Sequence, residues 1–190
     1  MTVYDEHNTA PLNADDLNIR RAFETDPQDG FRRLVERYSQ PLYWHIRRMV
    51  VSHDDADDAL QETFIRAWKN ISSFRWESGL HSWLLKIATN ESLRLINRRK
   101  LQPAALLEGE TRHAAASHVD FDNEVAVNFQ RAIQTLPEKQ RIVFLLRYYD
   151  EKEFGEIASI AEMSEDSARV NYSHAKKRIK EFMTENIIGS

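Results

Sequence analysis

One stretch of the chain predicts a helix whose polar face suits a protein partner. Between residues 55 and 71, apolar side chains recur at spacings of three and four, as in an amphipathic helix. On a helical wheel, the face opposite the apolar arc carries carboxylates, an amide and one aliphatic side chain. A helix face that is simply exposed to solvent can have this composition. A docking face for a basic partner helix can have it too, and there the aliphatic side chain would also contact the partner. The residues of this face are Asp58, Gln61, Glu62 and Ile65.

The stretch from residue 74 to residue 100 combines the side chains that bind unpaired nucleic acid. Arginine and lysine neutralise phosphates, asparagine bonds to base edges, and aromatic rings stack on bases. The aromatic residues would also suit a core, and cations at a helix end also suit the helix dipole. The combination favours a surface for single-stranded nucleic acid, on a helix from about residue 82 to residue 99. The side chains concerned are Phe74, Arg75, Trp76, Trp83, Lys86, Asn90, Leu93, Arg94, Asn97, Arg98, Arg99 and Lys100.

The last third of the chain predicts a helix-turn-helix. Residues 154–161 form a short apolar stripe, and Ser164 is suited to cap the helix that follows. That helix buries one stripe and presents a polar face, as a helix that enters the major groove does. Helical hairpins are common, so the spacing alone is only moderately specific. The polar face carries Asp166, Val170, Ser173, His174 and Lys177.

Helices throughout the chain must position these side chains. Helical spacing recurs from residue 18 onward and no strand-like alternation persists, which predicts an all-α fold of two small helical domains. Residues 1–18 lack periodicity and predict a flexible acidic arm, and residues 101–122, with proline, glycine and small side chains, predict a flexible linker. The domains would then cover residues 19–100 and 123–190. Pro41 predicts a kink or a restart in the first domain.

Composition excludes several classes of protein. The 190 residues include no cysteine, so disulfides, thiolate catalysis and cysteine-ligated zinc or iron–sulfur sites are excluded. Five glycines and five prolines are too few for a loop-rich β protein. The sequence has no run of 18 apolar residues, and its first residues lack the blocks of a signal peptide. We therefore expect a cytoplasmic protein without membrane insertion, and we expect no cofactor and no metal.

Charge is segregated along the chain. The net charge of −4, from 26 basic and 30 acidic residues, does not suit a dedicated non-specific DNA binder. Residues 1–19 and 49–65 contain acidic residues but no lysine or arginine, while basic residues gather at 94–100 and 176–180. This segregation favours separate surfaces for different partners.

The motifs together resemble the extracytoplasmic-function (ECF) sigma factors of bacterial RNA polymerase, group 4 of the sigma-70 family. Residues 56–68, Ala-Asp-Asp-Ala-Leu-Gln-Glu-Thr-Phe-Ile-Arg-Ala-Trp, are similar to the core-binding motif of region 2. Residues 82–100, which begin Ser-Trp-Leu-Leu-Lys and end Asn-Arg-Arg-Lys, resemble the segment that melts and reads the −10 element. Residues 136–141 and 156–158 resemble the signature of region 4. The resemblance covers most of the chain, about residues 20–100 and 123–183.

The resemblance implies a non-enzymatic transcription initiation factor that binds core RNA polymerase and reads two promoter elements. The expected partners are the β′ clamp helices and β flap of the polymerase, promoter DNA, and an anti-sigma factor of the kind that the family often uses. The implied polymerase-binding residues are Asp58, Gln61, Glu62 and Ile65. The implied −10 residues are Arg75, Trp76, Trp83, Lys86, Asn90, Arg94, Asn97, Arg98, Arg99 and Lys100. The implied −35 residues are Ser164, Arg169, Val170, Ser173, His174, Lys176, Lys177 and Arg178.

The turn of the helix-turn-helix departs from the family pattern. Glu162 stands where members of the family often have glycine. If the turn needs a positive φ, a residue with a side chain is strained there.

Two other functions compete with this interpretation. A helix-turn-helix regulator that works without polymerase would explain residues 136–183, but not the acidic face or the tryptophan-rich loop. A metal-dependent enzyme would have to use the seven histidines and the carboxylates. No His-Glu-x-x-His pattern, phosphate-binding glycine loop or nucleophile elbow supports an enzyme, and nothing predicts a buried carboxylate pair for acid–base catalysis.

Overall fold

The structure, a computed structural model, describes residues 13–50, 52–77, 79–100 and 124–188. These residues form α-helices joined by short turns and one 3₁₀ turn, with no strand among them, so the predicted all-α fold is confirmed. The helices are α1 (Ala14–Thr25), α2 (Pro27–Val50), α3 (His53–Asn70), α4 (Leu80–Lys100), α5 (Glu124–Thr135), α6 (Glu138–Tyr148), α7 (Phe154–Ile160) and α8 (Glu165–Ile188).

Helices α1 to α4 form the first unit around one core. Apolar side chains at helical spacing on α2, such as Leu34, Leu42 and Ile46, are completely buried against α3 and α4. Burying each such side chain stabilises the fold by about 1.5–3 kcal/mol. The helix does not restart at Pro41, because apolar contacts on both sides of the proline hold α2 in one piece.

The first helix corrects the predicted acidic arm. Residues 14–18 belong to α1, whose first turn is capped by the Asn13 side chain, which accepts a hydrogen bond from the Asp16 backbone N–H at 2.8 Å. Asp16 and Ile19 are buried, and Asp15 forms an ion pair of 2.8 Å with Arg37 of α2. The arm prediction failed for these residues because one short helix carries too few apolar positions to show a period. Residues 1–12 of the predicted arm and the predicted linker at 101–122 lie outside the described residues.

Helices α5 to α8 form the second unit. Ala132, Ile133, Leu145 and Leu146 are buried in its core. Aromatic rings of α5, α6 and α8 continue this core: the Phe144 ring stacks with those of Tyr148 and Tyr172 at centroid distances of 5.1 and 6.0 Å. The rings thus help to fix α8 against α6.

The turn between α7 and α8 carries the backbone strain that the sequence suggested. Glu162 has a φ of 51°, in the left-handed region that costs energy for a residue with a Cβ. Ser164 then caps α8, since its Oγ accepts a hydrogen bond from the Ser167 backbone N–H at 3.2 Å. The predicted helix-turn-helix is present, with a strained turn.

The two units pack against each other rather than standing apart. Helix α2 contacts α6, and α4 contacts α7. At this junction the His45 ring lies 2.6 Å from the Asp150 carboxylate and 2.9 Å from the Thr89 hydroxyl. None of the helices that the structure describes has a stretch long and apolar enough to cross a bilayer.

His81 makes folding sensitive to mild acid. Its ring stacks on Tyr38, with centroids 5.6 Å apart, and burial together with the Lys152 ammonium lowers the pKa of His81 to about 4, while Asp150 opposes the shift. The unfolded chain binds this proton near pH 6.5, so the unfolded state gains protons first as the pH falls. Stability should therefore decrease from about pH 6.5 down to about pH 4, by about 2–3 kcal/mol from this group.

Urea unfolding at pH 7 and at pH 4.5 measures this loss. His81→Phe keeps a ring on Tyr38 without a titrating group, so its stability should fall less between the two pH values than that of the natural chain. Equal losses in the two proteins would show that His81 does not carry the effect.

Candidate functional site

The outer face of α3 is exposed as predicted. Asp58 and Gln61 are exposed, and Ile65 retains 38% of its accessible surface. Glu62 is half-buried, and its carboxylate lies 3.3 Å from Nε of Arg66. The face therefore combines acidic groups, an amide and an accessible aliphatic side chain, which fits a partner that is basic and partly apolar.

Trp68 enlarges this face, although sequence reasoning did not place it there. It lies one turn beyond Ile65 and is 44% exposed, with one side of its ring packed on Phe31 at a centroid distance of 4.9 Å. In the sequence, Trp68 is the last residue of the 56–68 motif but is not one of the four residues predicted for the polar face. Its position three residues after Ile65 was the signal that could have found it.

Small side chains hold α3 close to its neighbours and orient this face. Ala56, Ala59 and Ala67 are buried on the opposite side of the helix, where α3 meets α2 and α4. Ser52 caps the helix, accepting a long hydrogen bond of 3.5 Å from the Asp55 backbone N–H. A rigid helix packed in this way presents the polar face in one orientation.

The aromatic loop before α4 is a cluster of rings. The rings of Phe74 and Trp83 stack at 4.8 Å, and the Trp76 ring lies 5.2 Å from that of Phe74 and 6.1 Å from that of Phe23. Trp76 has a φ of 58°, a rare conformation for a large residue. Both tryptophans are half-buried, so each is partly core and partly accessible. The rings therefore contribute to the core, and their binding of single-stranded nucleic acid stays a prediction.

A buried carboxylate that the sequence did not single out positions this loop and α4. Asp16 is fully buried; its Oδ2 accepts the Leu80 backbone N–H at 3.0 Å, and its Oδ1 accepts the Tyr38 hydroxyl. The first bond caps α4 at its start. Burial and the Asp16 carboxylate raise the pKa of Tyr38, so the phenol stays protonated and keeps donating.

The cations of α4 differ in what they contact. Lys86 lies 3.1 Å from Glu162 of the second unit, Arg94 lies 2.8 Å from Glu91, and Arg99 donates to Asp55 at 2.8 Å. Arg94 is exposed although it is paired, and the other predicted residues of this segment at exposed positions are Arg75, Asn90, Asn97 and Arg98. The side chain of Lys100 is outside the described structure.

The predicted outer face of α8 is exposed. Val170 retains 52% of its surface, while Ala168, Ala175 and Ile179 are buried on the other side of the helix. Arg169 pairs with Glu165, and its guanidinium lies 4.7 Å from the centre of the Phe154 ring. The other exposed members of this face are Ser164, Ser173, His174, Lys176, Lys177 and Arg178.

A groove beside α8 is lined by polar and charged side chains, two of them cationic. It has a volume of about 450 Å³ and is lined by Gln140, His174, Lys177, Arg178 and Glu181. Cationic side chains around a groove of this kind can hold phosphate oxygens. The groove therefore belongs to the same surface as the predicted recognition helix.

Two groups of side chains bear on the alternative of an enzyme. Among the residues described, no group of three or more His, Asp or Glu side chains is placed to hold a metal ion. Thr89, His45 and Asp150 are ordered like a hydrolase relay, but Thr89 and His45 are each only 1% exposed. A nucleophile buried to that extent gives a substrate no access.

Models of known protein families match residues in both units. The family model for Sigma-70 region 2 matches residues 34–102, and the model for Sigma-70, region 4 matches residues 126–179. The two matches coincide with the units that carry the α3 and α4 surfaces and the α8 surface.

Curated relatives agree with the family models. The ECF RNA polymerase sigma factor SigW of Bacillus subtilis (strain 168) is 33% identical over 150 residues, which cover 70% of this chain and 79% of that protein. The ECF RNA polymerase sigma-E factor of Salmonella typhimurium (strain LT2) is 28% identical over 177 residues, which cover 87% of this chain and 92% of that protein.

Solved structures share the fold. The sigma factor RpoE in complex with the anti-sigma factor NepR, from Bartonella quintana, has a TM-score of 0.69 at 23% identity, over 81% of this chain and 96% of that chain. CnrH in complex with the cytosolic domain of CnrY has a TM-score of 0.68 at 21% identity, over 90% of this chain and 97% of that chain. The family models, the curated relatives and the fold all agree: the chain belongs to the ECF RNA polymerase sigma factors, the transcription initiation factors that bind core RNA polymerase and direct it to promoter DNA.

Proposed function

We propose that this chain reads a −10 element with its first unit and a −35 element with its second, while α3 holds the polymerase. The single observation that supports this assignment is the distribution of surfaces. The acidic face of α3, the aromatic and basic face of α4, and the basic face of α8 lie on separate helices fixed by buried cores. The functional boundaries proposed are residues 19–100 and 123–190, with the first unit extended to include α1.

The α3 face is the proposed contact with the β′ clamp helices of the polymerase. Asp58, Gln61 and Glu62 supply charge and hydrogen bonding, and Ile65 supplies apolar contact at the centre of the face. Trp68 extends the same contact. The second unit would meet the β flap, and this part of the proposal rests on the family resemblance alone.

The α4 surface and its aromatic loop are the proposed site of promoter opening. The accessible parts of Trp76 and Trp83 can stack on an unpaired base, and Asn90 and Asn97 can bond to base edges. Arg75, Arg98 and the other cations of this segment can hold the phosphates of the open strand.

The α8 face is the proposed reader of the −35 element. We expect Val170, Ser173 and His174 to contact the major groove, and Lys176, Lys177 and Arg178 to contact phosphates. Arg169 is a candidate for a base contact, which it would make by exchanging Glu165 for the base edge.

Membership of the family suggests where this chain works and which regulator binds it. We propose that the chain works in the cytoplasm, where polymerase is found, and catalyses no reaction of its own. The similar structure from Bartonella quintana is a sigma factor in complex with an anti-sigma factor, which supports the proposal that an anti-sigma factor binds this chain too. A regulator that acts without polymerase is not favoured, because the region 2 match includes the α3 face.

Run-off transcription tests the proposal as a whole. Core polymerase with this chain should transcribe a subset of a randomised promoter library, and the selected promoters should share two elements. Core polymerase alone, on the same library, is the control. Transcripts without any shared upstream element would contradict promoter selection by this chain.

Reversal of charge on the α3 face should weaken polymerase binding. Asp58→Arg would place like charges together at a basic partner and cost about 1–3 kcal/mol of binding. The fold should persist because Asp58 is exposed. Affinity for core polymerase, measured beside circular dichroism, gives the result. The control variant Asp57→Arg makes the same change of charge at a position about 100° away around the helix, so it should reduce the affinity for polymerase less. Equal affinities for the two folded variants would remove Asp58 from the interface.

Truncation of Trp76 should impair strand opening more than duplex binding. Stacking of one base on an aromatic ring is worth about 1–3 kcal/mol, and Trp76→Ala removes the ring. Permanganate reactivity of the −10 region in the polymerase complex measures opening. Phe23→Ala removes a neighbouring ring but leaves the indole, so it controls for loosened packing. Normal reactivity with Trp76→Ala would assign Trp76 to packing alone.

Two substitutions on α8 should separate base reading from phosphate binding. In the complex with polymerase, Lys177→Ala should weaken all −35 sequences alike and reduce the salt dependence by about one unit. Arg169→Ala should cost about 1–3 kcal/mol and relax selection at one position. A −35 library competed over a salt series provides both measurements. Arg131→Ala, at an exposed position on α5, is the control. If both variants on α8 behave like the control, α8 is not the reader.

A further inference from the structure

One aromatic ring of the second unit lies close to two guanidinium groups. Phe154 is the first residue of α7, and Cζ of Arg169 on α8 lies 4.7 Å from the centre of its ring. Cζ of Arg147 on α6 lies 5.3 Å from the same centre. A cation within about 6 Å of a ring centre is attracted by the electrons of the ring face. The Phe154 ring is therefore a partner of the arginine to which we assign a −35 base.

The backbone that carries Phe154 is fixed at the start of α7. Glu153 and Glu156 form a capping box around the first turn, in which the Glu156 carboxylate accepts a hydrogen bond from the Glu153 backbone N–H at 3.2 Å. Arg147 donates to the Lys152 carbonyl and to the Glu153 carboxylate, both at 2.9 Å. Helix α7, and with it the Phe154 ring, thus begins at a defined place relative to α6.

The Phe154 ring is also held from the side of α8. The Tyr172 ring lies edge-on to it, with centroids 5.7 Å apart and planes at 67°. Tyr172 in turn stacks at 6.0 Å on Phe144, which is buried in the core of the second unit. Phe154 and Tyr172 are both half-buried. The ring beside Arg169 is therefore braced by the core and still partly accessible.

The two partners of Arg169 differ in what they leave available for a base. Glu165, one turn earlier on α8, accepts a hydrogen bond from the Arg169 guanidinium and so occupies a donor that a base edge would need. The Phe154 ring attracts the positive charge through its face and has no carboxylate oxygens to occupy the N–H donors. A base can therefore replace Glu165 while Phe154 keeps its contact with the cation.

We propose that Phe154 is a positioning residue for −35 recognition, which holds the Arg169 guanidinium beside its ring before DNA binds. The inference rests on the proposed function, which assigns a base contact to Arg169. The Arg169 side chain is 57% exposed, and ordering such a side chain on binding costs conformational entropy. A guanidinium already held on a ring loses less freedom when a base edge replaces Glu165. Phe154 thus contributes to base selection without contacting the base.

Selection at the −35 element tests this role. In the complex with core polymerase, Phe154→Leu should relax selection at the same base position as Arg169→Ala. The loss should be about two- to fivefold, which corresponds to an exposed cation–π contact. Phe154→Tyr keeps a ring and should keep selection. Phe129→Leu is the matched control, because it makes the same change beside the Phe144 and Tyr148 rings and should leave selection intact.

A double-mutant cycle shows whether Phe154 acts through Arg169. In a chain that already carries Arg169→Ala, Phe154→Leu should cause no further loss of selection at that position, because the cation that the ring holds is gone. A ring that only supported the fold would have the same effect in both backgrounds. Equal effects of Phe154→Leu in the two backgrounds would therefore overturn the positioning role.

Nuclear magnetic resonance of the full chain measures the contact without DNA. Protons above an aromatic ring resonate upfield, so the Nε–Hε signal of Arg169, identified by its loss in Arg169→Ala, should move downfield in Phe154→Leu and stay in place in Phe154→Tyr. Circular dichroism checks that each variant is folded, and Phe154→Met removes the ring if Phe154→Leu does not fold. An Arg169 signal in the natural chain at the position of a solvent-exposed arginine would overturn the contact, whichever variants fold.

The possible results separate this proposal from the proposed function. Unchanged selection in a folded Phe154→Leu chain, beside relaxed selection in Arg169→Ala, would overturn the role of Phe154 alone. Full selection in Arg169→Ala would overturn the base contact and, with it, the role of Phe154. Loss of promoter-selective transcription in the natural chain would overturn the proposed function as a whole, whatever the resonance of Arg169.

Discussion

The Asp16 carboxylate of α1 accepts one hydrogen bond from α2 and one from α4. One oxygen receives the Tyr38 hydroxyl from the middle of α2, and the other receives the first backbone N–H of α4. Both oxygens are used in a site with no access to water, so loss of either donor would leave a buried acceptor unsatisfied. The start of α4, and with it the aromatic loop that precedes it, is thereby fixed relative to α1 and α2. The surface proposed for an opened DNA strand depends on this anchorage, because rings that stack on bases must be held in place beforehand.

Carboxylates pair at short range with several cations of α4, in a chain whose net charge is −4. Glu91, Asp55 and Glu162 each lie within 3.1 Å of a cation on α4. Phosphates compete with such partners most easily where the pair is exposed, since exposed pairs contribute little net stability. The pair of Lys86 and Glu162 is of this kind, whereas Glu91 is almost buried. Cations on one helix can therefore differ in how easily they exchange a carboxylate partner for a DNA phosphate.

Periodicity predicted which sides of the helices are exposed, because spacing along a helix reports burial directly. Asp58 and Ile65 on α3, and Val170 opposite Ala168 on α8, are located as the wheels indicate. The sequence could not predict hydrogen bonds between distant residues, such as Asp16 with Leu80 or His45 with Asp150. The type and spacing of a polar residue do not identify its partner. Residues 14–18 were assigned to the arm for a different reason, because a short helix has too few apolar positions to show a period. Trp76 lies between these cases: its type predicted an aromatic role, but only packing against Phe23 shows that the ring is partly buried.

The left-handed turn at Glu162 has a consequence for how this chain can mutate. Glutamate and glycine codons differ by one base, so a single transition would relax the backbone at this position. The same change would remove the carboxylate that faces Lys86. A lineage that gained thermal robustness in this way would at the same time loosen the contact between its two units. At this codon, a change that stabilises the second unit also weakens its contact with the first unit. Selection for either property would therefore change the other.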